Sequence, residues 1–529
     1  MQPQRTQGCD VSAELNAAAS LGHLFERAAT RFAGREAFVS DQVRWSYEDL
    51  ARRVGRVTRV FSESGLTRGS ALAIQAANTP DVLSATLAAM LCGIRLTPLS
   101  PLTSAADQLA ILEDAEADAL LCDAGVIPPP DRRREASRLR HVFSLGPAAD
   151  AIDLSAAADA MPETALQPQA AGSDLGMVVY TGGTTGRPKG VMLTQGSLLT
   201  TVLMAASEWD WPTEMRVMAA TPVSHAAGIL VYPTMLKGGV FSMMNGFTAA
   251  RFREFVARER VTATFLVPTM IYRLLDETPE GEDLGTLQTV LYGAAPISEA
   301  RLREALRRFG PIFMQLYGQT EAPTCLTYLS RSQHDPDDPR ALRSCGTPLA
   351  AVQLELLDER GGHVPRGGRG EICVRGPLVM QGYWRRPAET AEALRGGWLH
   401  TGDVGEFDDR GRLHIVDRIK DLIISGGMNV YPSEVEKALV SHPDLSAAVV
   451  CGIPDESWGE AVCAAVVRRE GAAVDEAGLQ QWVRDRKGPV YVPKRLRFVE
   501  SLPLTPIGKV DRKQLRSLFL EHLKGGEHG

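Results

Sequence analysis

Apolar positions Leu50, Val54, Val57 and Phe61 fall on one face of a 3.6-residue turn, behind the capping sequence Ser46-Tyr47-Glu48-Asp49 and ahead of Gly65. That spacing predicts an amphipathic helix. The next apolar run, Ala71 to Ala76, is short and continuous, the pattern of a strand, and Thr79-Pro80 then opens a second helix that ends by Gly93. The rhythm recurs in the strand pattern Ala263 to Val267, a helix from about Thr269, the strand Thr289 to Tyr292, a helix from Ser298 to Phe309, and the strand Ile312 to Leu316. Such alternation predicts an α/β fold of largely parallel sheets covered by helices, with ligands at the carboxyl ends of strands.

The rhythm breaks twice. Between Ala124 and Ala171 the sequence turns to Ala, Pro, Arg and Asp and reads as peripheral and partly loop-like. Beyond Asp417 a compact set follows: Ile423-Ile424, a helix capped by Ser433 with Glu436 three residues on, strands near Ala447 to Cys451 and Val462 to Val467, and a last helix from about Arg512. The expected organisation is a large N-terminal α/β domain, 1–417, and a small mobile C-terminal α+β domain, 418–529, joined by the charged stretch Val416 to Asp421.

Composition narrows the function classes. The 529 residues are 44% hydrophobic and 23% charged, with a net charge of −7, so an ordinary globular protein without nucleic-acid affinity is expected. Neither a signal peptide nor a run of about 18 uncharged apolar residues is present, so a cytoplasmic protein without a transmembrane segment is expected. The eight cysteines show no C-x-x-C or Cys/His spacing and read as reduced core thiols, not a structural zinc site. Only nine lysines stand against 48 arginines, which makes each lysine worth locating.

The densest candidate chemistry is Tyr180-Thr181-Gly182-Gly183-Thr184-Thr185-Gly186-Arg187-Pro188-Lys189-Gly190, directly after the apolar run Leu175 to Val179, which reads as a buried strand. Glycines admit backbone N–H groups close to an anion, threonines add donors, and Lys189 adds a mobile charge, a combination suited to a polyphosphate. Pro188 precedes the lysine and Gly190 follows it, which excludes the P-loop pattern. Val191 to Thr194 reads as a second strand ending in a helix cap.

Four further motifs accompany this loop: Tyr317-Gly318-Gln319-Thr320-Glu321 after a strand; Gly397-Trp398-Leu399-His400-Thr401-Gly402-Asp403; Asp417 to Asp421, followed by Ser425 to Pro432; and Pro503 to Arg512. With these five in order, the chain from about Leu21 to Leu518 resembles the adenylate-forming superfamily of acyl- and aryl-CoA synthetases, peptide-synthetase adenylation domains and luciferase. The segment Arg375 to Trp384 and the Gly397 to Asp403 motif look closest to fatty-acyl and 4-coumarate type CoA ligases.

The resemblance implies an ATP-dependent ligase in which a carboxylate attacks the α-phosphorus of ATP, releasing pyrophosphate, and a thiol then displaces AMP. It implies ATP, Mg²⁺ and coenzyme A as cofactors. Thr181, Gly182, Gly183, Thr184, Thr185, Gly186 and Lys189 would hold the outer phosphates, Thr320 would contact phosphate, and Glu321 would hold Mg²⁺. Lys509 would stabilise charge between carboxylate and α-phosphate. Tyr317, with Gly318, would stack on adenine beside Gly293, Ala294, Ala295 and Pro296. Asp403 and Arg418 would grip the ribose, Lys420 would be the hinge, and Gly426 and Gly427 would enter during thioester formation. Gly182 replaces the serine commonest in the family, which removes one donor.

The acid pocket is expected behind Thr221 to Gly228, with His225 gating the carboxylate and Ala226, Ala227, Gly228, Met270, Ala294 and Cys325 lining it. The stretches Pro222 to Met235, Thr264 to Met270 and Val290 to Pro296 contain no Asp or Glu, so a substrate ammonium would lack a counter-charge. A non-amino carboxylic acid, aryl or aliphatic, is therefore expected. The alternatives are transfer to a carrier-protein phosphopantetheine arm and a silent nucleotide-binding module. Intact Lys509 and Glu321 speak against the second.

Overall fold

The structure is a computed structural model that describes residues 19–101, 103–128, 136–181, 188–426, 428–455, 458–503 and 510–525. Its chain forms two compact units, Met1–Leu354 with Val374–Leu399, and Glu355–Cys373 with His400–Gly529. The larger, N-terminal unit is mixed α/β.

Among the described residues, two sheets organise the large unit, one of nine strands and one of eight. In the first, Val240–Met243, Arg216–Ala219, Ala263–Leu266, Thr289–Tyr292 and Phe313–Gln319 run parallel, and Ala322–Leu329 folds back antiparallel on the last. In the second, Arg95–Pro98, Ala71–Gln75, Ala119–Asp123 and His141–Leu145 are parallel. Leu175–Thr181 pairs in parallel with Arg95–Pro98 and opens an antiparallel hairpin with Lys189–Thr194. Strands fed by helices can stack in parallel only with those helices on the sheet faces, which is why the apolar runs are continuous.

The helix Tyr47–Glu63 forms where its stripe predicts, with Ser46 and Asp49 making the reciprocal cap. Leu50, Val54, Val57 and Phe61 are fully buried, each stabilising the fold by about 1.5–3 kcal/mol. The helix Pro80–Cys92 is apolar nearly all round and correspondingly buried on every side. Thr194 ends its strand and caps Gln195–Glu208 through Ser197 N–H, 3.0 Å from its Oγ1.

The stretch Ala124 to Ala171 is peripheral and partly irregular as expected, and it also carries the strands His141–Leu145 and Ile152–Asp153, at the edge of the eight-stranded sheet, and the helix Leu154–Ala160. Two local expectations need correction. Leu175–Thr181 is buried only at Gly176 and Val178 and half-buried elsewhere, so it is not buried throughout. The helix Pro432–Val440 starts on Tyr431 without a side-chain cap; Ser433 instead donates its hydroxyl to Val416 O, and Glu436 pairs with Arg512 at 2.6 Å.

The smaller unit holds the sheet Gln353–Leu357, Arg369–Arg375, Leu399–Phe407 and Leu413–Arg418, and a second sheet built on the long antiparallel pair Leu445–Asp455 and Gly459–Arg468. Its apolar core includes Val435, Leu439, Val450, Val462, Leu479 and Val483. Among the described residues no helix is long and apolar enough to cross a membrane, and Cys92, Cys122, Cys325, Cys345, Cys373, Cys451 and Cys463 are buried thiols outside any disulfide.

Candidate active site

The hairpin register places Thr181 opposite Lys189 and Tyr180 opposite Gly190. Of the predicted phosphate loop, Thr181 and Lys189 stand opposite each other on paired strands, and Gly182, Gly183, Thr184, Thr185 and Gly186 lie outside the described residues. A short strand, Gly382–Tyr383, adds antiparallel to Lys189–Thr194, with Gln381 N–H donating to Met192 O and Trp384 N–H to Gly190 O. Gly190 is required there. A Cβ would sit 2.7 Å from Val178 Cγ1 and 3.3 Å from Trp384 Cβ, too close for the strand to dock.

This docking brings Tyr383 under Lys189, whose Nζ is 5.1 Å from the ring centroid, within cation–π range. The Tyr383 hydroxyl donates to Glu321 Oε1 at 2.8 Å. Glu321 occupies the turn between Phe313–Gln319 and Ala322–Leu329, and its carbonyl accepts Met380 N–H at 2.8 Å. Residues 380–384 thus run from the Thr320-Glu321 turn of one sheet to the Lys189 strand of the other. Burial, and then the Glu321 carboxylate, push the Tyr383 pKa well above the usual tyrosine value, so the phenol stays a donor. Asp114 secures the neighbourhood: its carboxylate accepts from Tyr180 OH at 2.6 Å and pairs with Arg386, while its carbonyl accepts Trp384 Nε1–H at 2.9 Å. The Arg95 guanidinium lies over the Trp384 ring at 4.0 Å.

A cation, a carboxylate and a hydroxyl-bearing turn consequently meet at strand ends. Mg²⁺ takes one or two carboxylates and completes its shell with water and phosphate oxygen. Glu321, held by Tyr383, and the adjoining Thr320 hydroxyl fit that requirement.

The adenine-side candidates also converge. Gly293 follows the strand Thr289–Tyr292, and a Cβ on it would lie 2.4 Å from Leu316 O, so its lack of side chain lets Gly293 to Pro296 approach the strand carrying Tyr317. Ala294 adopts a left-handed φ of 65°, a strained conformation of the sort that clusters at binding sites. Ala294, Ala295 and Pro296 are exposed and Tyr317 is buried. Gly318 packs against Thr324 backbone with no room for a Cβ.

At the acid-side segment, His225 is exposed at the head of the 3₁₀ turn Ala226–Leu230. Ala226 is half-buried and Ala227 fully buried, while Gly228 lies so close to Val223 that a Cβ would come within 2.2 Å of its carbonyl oxygen. Met270 and Cys325 are buried, Met270 within the core that also holds Phe252 and Leu266. Burial pushes the Cys325 thiol pKa up, so it stays protonated.

Two residues here escaped sequence reasoning. Tyr383 was visible only as part of a family-like segment, since its partners come from distant strands. Asn78, just past the strand Ala71–Gln75, anchors the His225 segment: its Oδ1 accepts Val223 N–H at 2.9 Å and its Nδ2 donates to Thr221 O at 3.1 Å and Met244 O at 3.2 Å. Asn245 Nδ2 donates to Asn78 O at 2.6 Å. An Asn directly after a strand was the available signal.

Within the smaller unit Asp403 and Arg418 face each other across paired strands, with Nε 3.2 Å from Oδ1. Asp403 is buried and Arg418 exposed, so the pair itself adds little stability. Gly402, just before Asp403 in the strand Leu399–Phe407, takes φ 71°. Lys420 lies exposed in the 3₁₀ turn Ile419–Asp421, and Gly426, at φ 59°, donates its N–H to Trp458 O. Gly427 and Lys509 lie outside the described residues.

The sequence pattern of the AMP-binding enzyme family matches residues 25–384, and that of the AMP-binding enzyme C-terminal domain matches residues 434–509. The chain belongs to the AMP-binding enzyme family. It is 41% identical over 522 residues to a medium/long-chain-fatty-acid–CoA ligase, FadD8, of Mycobacterium tuberculosis, covering 94% of this chain and 90% of that protein. It is 37% identical over 481 residues to a feruloyl-CoA synthase of an Amycolatopsis species, covering 90% and 94%. Among solved structures, the amide bond synthetase McbA of Marinactinospora thermotolerans superposes with a TM-score of 0.84 at 34% identity, covering 94% of this chain and all of that one.

Proposed function

We propose that this protein is an AMP-forming acid–thiol ligase that activates a carboxylic acid lacking an amino group and transfers it to coenzyme A. The observation that carries the reading is the convergence of Lys189, Tyr383 and Glu321 where the paired strands Leu175–Thr181 and Lys189–Thr194 end. In the first step a carboxylate oxygen bonds to the α-phosphorus of ATP and the bond to the pyrophosphate oxygen breaks. The difficulty is the approach of an anion to a polyanion, so positive charge must be fixed in advance. Lys189 and Thr181 hold the outer phosphates from their paired strands, and Thr320 contacts phosphate. Glu321, oriented by Tyr383, holds Mg²⁺, which neutralises phosphate charge when bound. Lys509 serves the oxygens between carboxylate and α-phosphorus, Tyr317 stacks on adenine beside Gly293 to Pro296, and Asp403 with Arg418 holds the ribose. In the second step the CoA sulfur bonds to the acyl carbon, the thiol proton leaves, and AMP departs.

The lack of Asp and Glu in the three pocket stretches supports a non-amino acid, and the fatty-acid and feruloyl ligases among the relatives support an aliphatic or aryl acid. Pyrophosphate release across medium-chain, long-chain and aryl acids, each with and without CoA, tests the reading. A clear preference for phenylalanine over phenylpropanoic acid would remove the pocket assignment.

A further inference from the structure

Outside the nucleotide and acid machinery, one face of the four-stranded sheet in the smaller unit carries three different metal-ligating side chains. Glu371 and Cys373 are two residues apart on the strand Arg369–Arg375 and so project from the same face. His400 lies on the adjacent strand Leu399–Phe407. His400 Nδ1 is 2.7 Å from Glu371 Oε2 and 3.4 Å from Cys373 Sγ, and the three ligand atoms all fall within 4.8 Å of one another. Cys373 is fully buried, and the side chains of His400 and Glu371 are 8% and 12% exposed.

We propose that Glu371, Cys373 and His400 form a binding site for a divalent d-block cation, with Zn²⁺ the best match. An i, i+2 pair on one strand and a cross-strand neighbour present three atoms to a single point, the tripod that a three-ligand zinc site with one open position needs. Usual Zn–S and Zn–N/O bond lengths at tetrahedral angles place neighbouring ligand atoms about 3.3–3.6 Å apart. The 3.4 Å from nitrogen to sulfur already matches, and nitrogen and carboxylate oxygen need to part by only about 0.6 Å from that expectation.

The surroundings have the outer support that metal ligands use. Gly402 N–H donates to Glu371 Oε1 at 3.0 Å, which turns Oε2 toward His400, and the Thr401 hydroxyl donates to Ile372 O at 2.7 Å, tying the two strands together between the ligands. The sulfur and imidazole donors select against Mg²⁺ and Ca²⁺, which prefer oxygen, and the thiolate and carboxylate together balance a 2+ charge. Binding must release the Cys373 proton, so affinity rises with pH.

The test uses tag-free, full-length protein stripped with EDTA. Zn²⁺ is titrated against a chromophoric chelator, and Co²⁺ is followed by absorption. One equivalent should bind, the Co²⁺ form should show a sulfur-to-metal charge-transfer band, and X-ray absorption of the Zn²⁺ form should give one sulfur neighbour among nitrogen and oxygen ones. Cys373→Ser should abolish the band, and Cys373→Ser and His400→Ala should each weaken Zn²⁺ binding by at least about tenfold. Cys451→Ser should change nothing. The proposal is overturned by no stoichiometric binding at micromolar Zn²⁺, by a first shell without sulfur in the wild type, or by a Cys373→Ser protein with an unchanged melting curve and unchanged Zn²⁺ affinity. The last results leave a hydrogen-bonded triad only.

Discussion

Tyr383→Phe removes one oxygen atom and should expose how much of the proposed Mg²⁺ site depends on that phenol. The lost contact is the 2.8 Å hydrogen bond to Glu321 Oε1. Hydrogen bonds to charged groups contribute about 1.5–3 kcal/mol, and partners that orient metal-ligating carboxylates are worth roughly 10–100-fold in affinity or activity. Tyr383 is only half-buried, so solvent replaces part of the contact and the lower end applies, roughly tenfold. The ring remains in the variant, so the Lys189 contact at 5.1 Å survives. Acid-dependent pyrophosphate release measured against Mg²⁺ concentration, at saturating acid and ATP, should show half-maximal Mg²⁺ raised about tenfold. Direct Mn²⁺ binding by electron paramagnetic resonance should weaken by a similar factor. Tyr383→Leu also removes the ring and should in addition raise KM for ATP a few-fold, in line with an exposed cation–π contact of about 0.5–1 kcal/mol. A Tyr383→Phe enzyme whose Mg²⁺ dependence stays within about twofold of wild type would refute this role.

Three further outcomes are expected. Asn78→Asp keeps the acceptor for Val223 N–H but turns an oxygen toward Thr221 O and Met244 O; KM for the acid should rise about tenfold or more while KM for ATP holds, and equal changes in both would show a general packing role. Lys509→Ala should slow adenylate formation by about 10²–10³ and leave transfer from preformed acyl-adenylate to CoA near wild type, and single-turnover assays of each half-reaction decide it. Buried His334 donates from Nδ1 to Ser330 O and accepts from Tyr292 OH at Nε2, and burial pulls its pKa down to about 4. The neutral form is favoured in the fold, so this contribution is complete above the unfolded value of about 6.5 and is lost as pH falls toward 4, on the order of 3 kcal/mol in all. Urea unfolding from pH 7 to 4 should show that slope in wild type and a flatter one in His334→Gln; parallel curves would contradict it.

The sequence carried the elements whose signals are local. The stripe from Leu50 to Phe61 and the Thr194 cap are each decided by neighbouring residues, and both form as expected. Where neighbours compete with distant partners, local reading fails. Ser433 and Glu436 have a capping-box spacing, yet Val416 O and Arg512 offer them better partners. The strand His141–Leu145 is five residues long without clean alternation, and it forms because Ala119–Asp123 presents a parallel edge to it. The candidate site divides the same way. Lys189 and Glu321 stand out by motif, whereas Tyr383 and Asn78 become visible only when strands remote in sequence lie side by side. A two-residue strand such as Gly382–Tyr383 has almost no propensity signal, since its position is fixed by backbone bonds to Gly190 and Met192.

The most direct test of the account is a product analysis of a single reaction containing ATP, Mg²⁺, CoA and the best acid from the panel. Chromatography should show AMP, pyrophosphate and an acyl-CoA thioester appearing in equal amounts, with AMP formation dependent on the acid. ADP as the main nucleotide product, or stoichiometric AMP without a thioester when CoA is saturating, would contradict it.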